Sequence, residues 1–308
     1  MNILLPGQYP RSERLVVATR DFDRHRSSEA DLKRIQHDDV QQFRELQKDW
    51  PYISSGFFHW QDLMRPFSAI VDEIQVGTLL RFYETNTFWR RLDFGAHPKV
   101  HVQQLDAWIE EYFLAEGMYS QADPMVLTLP FLYLFRDFSQ GIALELVAEL
   151  LAQIVMKLLS MPNKMLCFFE PTFGWRKLTA EEKAIGRTFI MRLKEHTKQP
   201  ICLWSCFFCV EHELDFIYAL PFDGFGFDFY RNSLSKCMDK FPKDKLLLAG
   251  IINTESSLIE PKKNVAAFFQ MLHTYLPETQ VYITPNGPAE LLTREVMDHK
   301  VRNMQEII

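Results

Sequence analysis

The chain has 308 residues, of which 47% are hydrophobic and 24% are charged, with a formal net charge of −6. This composition is typical of soluble globular proteins, and no apolar run reaches the roughly 20 residues that a membrane-spanning helix needs. The sequence has no basic run or Arg/Lys stripe of the kind that nucleic-acid binding needs. We therefore expect neither a membrane nor a nucleic acid as partner.

The N-terminus, Met1-Asn-Ile-Leu-Leu, lacks the basic region and long apolar core of a secretory signal. The 5 cysteines are odd in number, and three of them are crowded into residues 202–209, which does not fit a disulfide framework. We expect a cytoplasmic protein with free thiols.

Short apolar runs alternate with amphipathic, helix-like stretches along the chain. Strands are predicted at residues 3–5, 52–55, 126–129, 164–169, 201–205, 224–228, 245–252 and 281–284. Helices are predicted over 29–47, 142–159, 181–196 and 262–276. No linker or repeat indicates a domain boundary, so residues 1–308 are predicted to form a single (β/α)8 TIM barrel.

Residues 75–118 interrupt this alternation with an aromatic-rich segment of alternating polarity, followed by an amphipathic stretch. Alternation of this kind indicates a β-hairpin. We interpret the segment as an inserted hairpin and helix after the second strand.

Barrel enzymes carry their functional residues at the carboxyl ends of the strands. Polar, aromatic or thiol side chains lie at or just after the predicted strand ends. They are Gln8, His59, Arg136, Glu170, Trp204, Cys206, Asp228 and Asn286. The site is predicted among them.

Several motifs, in matching order along nearly the whole chain, resemble one family. They are L5-P-G-Q-Y-P-R, G56-F-F-H-W-Q-D-L-M, F169-E-P-T-F and V301-R-N-M. The chain resembles the catalytic barrel domain of cobalamin-independent methionine synthase. The resemblance implies methyl transfer from methyltetrahydrofolate to the homocysteine thiol, which a bound zinc ion deprotonates.

The zinc ligands that this resemblance implies are mostly missing. The positions of the family's His, Cys, Glu and Cys ligands hold Trp204, Cys206, Asp228 and Gly287. Tryptophan and glycine donate no lone pair, whereas such a site needs three protein ligands and an open position. Cys206 and Asp228 are the remaining metal candidates, in a degenerate zinc site.

The substrate contacts depart from the family as well. Phe57 and Phe169 replace acidic residues, Gln8 replaces a serine, and Arg136 stands where the resemblance implies a folate-stacking tryptophan. Without those carboxylates, burying the ammonium group of homocysteine would cost several kcal/mol. We expect a more apolar substrate.

The predicted catalytic residues are Glu170, His59 and Cys206, and the predicted substrate-binding residues are Asp62, Trp204, Arg136 and Asn286. His59 and Asp62 could form an acid–base pair, or Asp62 could instead begin a helix. Asp228 could bind a ligand or cap the helix that follows it. Asn286 precedes a glycine and could simply form a turn.

Cys202, Cys206 and Cys209 have the C-x3-C-x2-C spacing of some iron–sulfur sites. In an extended strand, however, Cys202 and Cys206 would lie about 13 Å apart at roughly 3.3 Å per residue. We predict buried core thiols, with Cys206 as the one that could be functional.

Two hypotheses follow. The chain is a diverged methyltransferase-like enzyme with a small-molecule substrate, or a non-catalytic relative that binds a ligand or protein through an aromatic-lined barrel mouth. A second polypeptide could also complete the site.

Overall fold

The computed structural model describes residues 1–60, 62–277 and 280–308. Its main sheet is parallel, with strand order β1-β10-β9-β8-β7-β6-β4. These strands are β1 (Asn2–Ile3), β4 (Met125–Pro130), β6 (Lys164–Phe169), β7 (Ile201–Ser205), β8 (Gly224–Asp228), β9 (Leu246–Ile252) and β10 (Val281–Pro285). Every residue of β4, β6, β7 and β8 is buried, as in parallel sheets that helices cover.

Helices connect the strands. They are α1 (Glu13–Asp23), α2 (Glu29–Leu46), α3 (Leu105–Tyr112), α4 (Leu132–Asp137), α5 (Leu144–Leu159), α6 (Thr172–Trp175), α7 (Ala180–His196), α8 (Leu214–Tyr218), α9 (Leu234–Asp239), α10 (Lys262–Leu272) and α11 (Arg294–Gln305). Helix α7 begins with a capping box, in which Thr179 and Glu182 bond each other's backbone N–H groups. In the part of the chain that the structure describes, no helix is long and apolar enough to cross a membrane.

The two edges of the main sheet, β1 and β4, face each other across residues 52–56. Ile53 makes a single parallel bridge to Met125, and the Tyr9 N–H donates to the Gly56 carbonyl at 3.0 Å. The Gly7 N–H donates to the Thr128 hydroxyl oxygen on β4 at 2.8 Å. The sheet thus curls until its edges are joined by individual hydrogen bonds.

The predicted strand over residues 52–55 is reduced to the bridge at Ile53. The side chain of Gln47 accounts for this, because it accepts the Ser54 N–H at 2.8 Å and donates to the Ser54 carbonyl at 2.9 Å. Backbone groups that are already paired with a side chain cannot extend a strand ladder. The α/β class with a parallel sheet is confirmed, while this strand prediction was wrong in extent.

The predicted insertion is present as an antiparallel hairpin of β2 (Ile74–Arg81) and β3 (Phe88–Phe94). The short strand β5 (Ser139–Gln140) pairs in parallel with β3, and α3 follows the hairpin. The hairpin lies over the carboxyl ends of the main-sheet strands, which we call the mouth. It therefore bounds whatever site the mouth contains.

Candidate functional site

Trp204 fills the interior of the curled sheet. Strand pairing sets Phe169, Trp204 and Gly226 in one row, so their side-chain positions share a face. A Cβ atom on Gly226 would lie 2.8 Å from the Trp204 ring, and one on Gly7 would lie 3.2 Å from its far edge. The indole thus reaches from β7 to the loop after β1. At the position where the resemblance implies a zinc-binding histidine, this chain places a space-filling ring.

The hairpin closes the mouth with aromatic side chains. Phe82 is fully buried, with its ring centroid 4.2 Å from that of Trp89 and 6.0 Å from those of Phe169 and Phe207. Packing of this kind excludes water from the centre of the mouth. The centre of the mouth is therefore occupied by the protein itself.

The two retained zinc-ligand candidates, Cys206 and Asp228, are close neighbours and both buried. Burial, and then the charge of Asp228, raises the pKa of the Cys206 thiol well above its ordinary value. Burial also raises the pKa of Asp228 to about 6, although the Tyr230 N–H, the neighbouring Asn286 amide and the charge of Arg231 lower it. The raised pKa opposes the thiolate form of Cys206 that zinc binds, whereas Asp228 is still mostly a carboxylate near pH 7.

Zinc also lacks further ligands at this position. Within residues 1–60, 62–277 and 280–308, no three His, Cys, Asp or Glu side chains are grouped to hold a metal ion. A Cβ on Gly287, where the resemblance implies the last cysteine, would lie 2.8 Å from the Phe207 ring. The residues present do not fit the family's zinc site.

Asp228 and Asn286 each keep one buried atom without a hydrogen bond among the described residues. Asp228 Oδ1 accepts the Tyr230 N–H at 2.8 Å, while its Oδ2 lies 3.7 Å from Nε of Arg231 and accepts no hydrogen bond in that part of the chain. Asn286 Oδ1 accepts both the N–H and the hydroxyl of Thr254, while its Nδ2 is also unpaired in that part of the chain. Asn286 joins the loops after β9 and β10, and its role in substrate binding stays a prediction.

Glu170 is completely buried and points towards backbone N–H groups. Its Oε2 accepts from Tyr133 at 3.1 Å and from Leu134 at 2.9 Å, and its Oε1 accepts from Thr172 at 2.9 Å. Burial raises the pKa of Glu170 to about 7, although the hydrogen bonds lower it. The carboxylate holds the start of α4 against the end of β6, and a catalytic role stays a prediction.

Asp62 is likewise buried and bonded. It accepts the backbone N–H groups of Met64 and Arg65, and it forms an ion pair with the Arg65 side chain at 2.8 Å. Asp62 thus orders the loop that precedes the short 3-10 helix Arg65–Ala69, and its role in substrate binding stays a prediction.

His59 and Arg136 lie apart from these residues. Burial lowers the pKa of His59, and its Nε2 is buried without a hydrogen-bond partner among the described residues. Arg136 is exposed and lines a separate surface cavity with Asp137 and Arg176. The structure therefore brings Cys206, Asp228, Trp204 and Asn286 together and leaves His59 and Arg136 outside that cluster.

A cavity of about 650 Å³ lies beside the closed mouth, between the loop after β1 and the start of α11. We call it the Arg11 cavity. Arg11, Gln8 and Glu290 supply its inner polar groups, and Phe57 with Trp60 supply an aromatic wall. Glu290 also borders a neighbouring cavity of about 580 Å³ beneath the hairpin tip.

Arg11 and Glu290 interact electrostatically across this cavity. Burial raises the pKa of Glu290 to about 7, with Trp89 and Arg11 lowering it and Asp62 raising it. Glu290 Oε1 accepts the Trp89 indole N–H at 3.3 Å. The guanidinium of Arg11 makes no hydrogen bond or close ion pair with another described residue, and burial lowers its pKa.

The sequence-based prediction missed Arg11 and Glu290. Both residues lie in segments that the sequence analysis covers, because Arg11 belongs to the first family-like motif and Glu290 follows the last predicted strand. A charged residue after each of two neighbouring strands was the available signal, because β1 and β10 pair in parallel.

A comparison with protein families shows one match. The model described as "Cobalamin-independent synthase, N-terminal domain" matches residues 71–274, which is more than half of the chain. The sequence motifs were likened to the family's catalytic domain, whereas this model describes the N-terminal domain. None of the curated proteins matches the chain.

Solved structures share the fold. A B12-independent methionine synthase from Shewanella sp. W3-18-1, in complex with selenomethionine, aligns with a TM-score of 0.70 at 13% identity, over 92% of this chain and 89% of that one. A putative vitamin-B12 independent methionine synthase from Listeria monocytogenes gives 0.68 at 15% identity, over 99% and 98%. A methyltransferase from Methanosarcina mazei gives 0.59 at 11%, over 99% and 93%.

At such low identities these structures establish the fold alone, while the family model carries the assignment. The predicted family is thereby confirmed. The chain belongs to the cobalamin-independent synthase family.

Proposed function

We propose that this chain is a diverged enzyme of the family that acts without the thiol-activating zinc, on a small molecule held in the Arg11 cavity. One observation carries the proposal: a partly buried arginine with no hydrogen bond or close ion pair among the described residues lines the same cavity as a glutamate whose pKa is near neutrality. Strongly shifted ionisable groups in a cleft are typical of functional sites.

Glu290 is the proposed acid–base residue. A group with a pKa of about 7 exists in both protonation states at neutral pH, so it can accept and return a proton in one catalytic cycle. The Trp89 indole fixes one carboxylate oxygen, and Glu290 lines both the Arg11 cavity and the neighbouring cavity beneath the hairpin tip. Positioning and access are thus both provided.

The chemistry is proposed to be methyl transfer or a related group transfer, in keeping with the family. Methyltetrahydrofolate is the donor that the family suggests. Homocysteine is not the proposed acceptor, because Phe57 stands where the resemblance implies a carboxylate for its ammonium group. A nucleophilic role for Cys206 has little support, because its raised pKa leaves almost no thiolate at neutral pH.

We also propose that the curled sheet acts as a closed (β/α)8 barrel and that residues 1–308 form one domain. The hydrogen bonds of Tyr9 to Gly56 and of Gly7 to Thr128 support closure. In a closed barrel the loops after β1 and β10 are neighbours, which places Arg11 and Glu290 on one rim.

The second candidate is a non-catalytic relative that binds a ligand or a protein partner. The hairpin favours it, because Phe82 and Trp89 fill the mouth where barrel enzymes ordinarily place their substrate.

The two candidates are separated by a labelling experiment on the full chain. Wild type, Glu290→Gln and the surface control Glu149→Gln are incubated with 5-methyltetrahydrofolate carrying ¹³C in its methyl group and with a cell metabolite extract. Mass spectrometry then follows the label. We expect one labelled product with wild type and control, formed about 10²- to 10⁴-fold more slowly by Glu290→Gln.

Absence of any labelled product with wild type would overturn folate-dependent methyl transfer and favour the binding relative. Elemental analysis of wild type and Cys206→Ser tests the zinc statement separately. About one zinc per chain in the wild type, lost in Cys206→Ser, would overturn metal-free action.

A further inference from the structure

We propose that the Arg11 cavity selects a small carboxylic acid that carries a flat apolar group and a hydrogen-bond donor but no α-ammonium group. The inference rests on the proposed function in that it names the ligand class of the same cavity. It is tested by binding, independently of any turnover.

The carboxylate requirement comes from Arg11. The cavity holds two arginines, and Arg294 is already committed: it pairs with Asp298 at 2.9 Å, and its guanidinium lies 5.1 Å from the Tyr9 ring centroid. Arg11 has no such partner among the described residues. A free guanidinium presents parallel N–H groups that match the two oxygens of a carboxylate.

The donor requirement comes from Gln8. Its amide nitrogen donates to the Trp60 carbonyl at 3.2 Å, which fixes the amide and directs Oε1 elsewhere. Gln8 is 7% exposed, and this Oε1 has no hydrogen-bond partner within the described residues. A buried acceptor left unpaired is costly, so a ligand N–H or O–H that reaches it gains binding energy.

The flat apolar group is matched by Phe57 and Trp60, whose ring centroids lie 4.6 Å apart. The only polar atom of the Trp60 side chain donates to the Tyr112 carbonyl at 2.8 Å, away from any ligand. Both rings are almost wholly buried, so they present a narrow apolar edge without a polar group to the cavity, and an aromatic or other planar group can pack against it.

An α-ammonium group has no buried partner in this cavity. Asp298 is bonded by the Tyr9 hydroxyl at 2.7 Å and by Arg294, while Glu13 and Glu295 are exposed at the rim, where solvent weakens their charges. Glu290, the remaining acid among the described residues, accepts the Trp89 indole N–H, and its raised pKa leaves it only partly charged near pH 7. An amino acid would thus leave its ammonium group desolvated and unpaired.

Three probes of one shape test the ligand class by calorimetric titration. They are 3-(4-hydroxyphenyl)propanoate, its neutral amide 3-(4-hydroxyphenyl)propanamide, and L-tyrosine, which is the same acid with an α-ammonium group. The proteins are the full-length wild type, Arg11→Gln, and Arg14→Gln as control. Arg14 lies three residues further on, is exposed and pairs with Asp38 outside this cavity.

We expect wild type and Arg14→Gln to bind the acid at least tenfold more tightly than the amide or tyrosine. Arg11→Gln should bind the acid at least tenfold more weakly and should no longer distinguish it from the amide. If Arg11→Gln does not fold, Arg11→Lys, which keeps the charge but loses the paired N–H groups, should show an intermediate affinity.

Equal wild-type affinity for acid and amide, tightest binding of tyrosine, an unchanged Arg11→Gln, or no binding of any probe would each overturn the ligand class. Acid binding without a labelled product in the turnover experiment would leave this inference standing while the proposed enzymatic function fails. A labelled product without acid binding would support the proposed enzymatic function and overturn the ligand class.

Discussion

Glu170 gives the sharpest test of how the strand ends are built. Replacing it with alanine leaves three buried backbone N–H groups, those of Tyr133, Leu134 and Thr172, without an acceptor. Each buried unpaired donor costs about 1–3 kcal/mol. We therefore expect Glu170→Ala to lower the free energy of unfolding by at least about 3 kcal/mol, taking the lower figure for each.

Glu170→Gln has the same shape but only one oxygen. That oxygen can keep the bonds to Tyr133 and Leu134, while the amide nitrogen then faces the Thr172 N–H. One unpaired donor predicts a loss of about 1–3 kcal/mol. The measurement is urea denaturation followed by circular dichroism, with Glu181→Ala, an exposed residue at the start of α7, as control.

The order of the free energies of unfolding of these variants tests whether Glu170 holds the start of α4. If Glu170→Ala unfolds within about 0.5 kcal/mol of wild type, as ordinary surface substitutions do, then Glu170 does not hold the start of α4. If instead both variants keep their stability and lose turnover, the predicted catalytic role would replace the structural one.

Four further predictions concern pH-dependent stability, cysteine exposure, the hairpin packing and Gly287. Burial raises the pKa of Glu170 from 4.5 to about 7 and that of Asp228 from 3.8 to about 6. Between about pH 4 and 7 the unfolded chain therefore binds fewer protons than the folded chain. Stability should therefore fall as pH rises through this window, and Glu170→Gln should flatten the fall in a urea-midpoint series. Cys209 is exposed and the other cysteines are buried, so a thiol reagent should label about one site natively and all 5 in denaturant, as counted by mass spectrometry. Phe82→Ala should cost about 3–5 kcal/mol and increase acrylamide quenching of tryptophan fluorescence, since it opens the hairpin packing. Gly287→Cys should lower the thermal midpoint, since its Cβ would lie 2.8 Å from the Phe207 ring, and overpacking typically costs about 1–3 kcal/mol.

The sequence allowed the parallel strands and the main helices to be predicted because their signals are local. Buried apolar runs mark β6 and β7, and amphipathic periodicity places α2 at Glu29–Leu46, within one residue of the prediction. The inserted hairpin was predicted for the same reason, since its residues alternate between two environments.

What the sequence did not reveal depends on side-chain contacts that the local pattern of apolar residues does not encode. Residues 52–55 read as a strand, but the Gln47 side chain takes the Ser54 backbone groups. The sequence indicated that Glu170 follows a strand, but it did not indicate that the carboxylate bonds the start of α4. The pattern of apolar residues around Ser54 and around Glu170 does not indicate these hydrogen-bond partners.

The candidate site was only partly predictable. Trp204, Cys206, Asp228 and Asn286 were identified as strand-end residues, and they do cluster. The Arg11 cavity was not, because it forms only where the loop after β1 meets the loop after β10.

The pairing of β1 with β10 has a consequence for synthesis of the protein. Ribosomes add about 5–20 residues per second, so β1 waits tens of seconds for β10, its neighbour in the sheet. During that interval Arg11 and the Phe57–Trp60 wall have no opposite side, and the cavity does not exist. A nascent chain therefore cannot capture a ligand before β10 is made, and ligand binding would report that folding is complete.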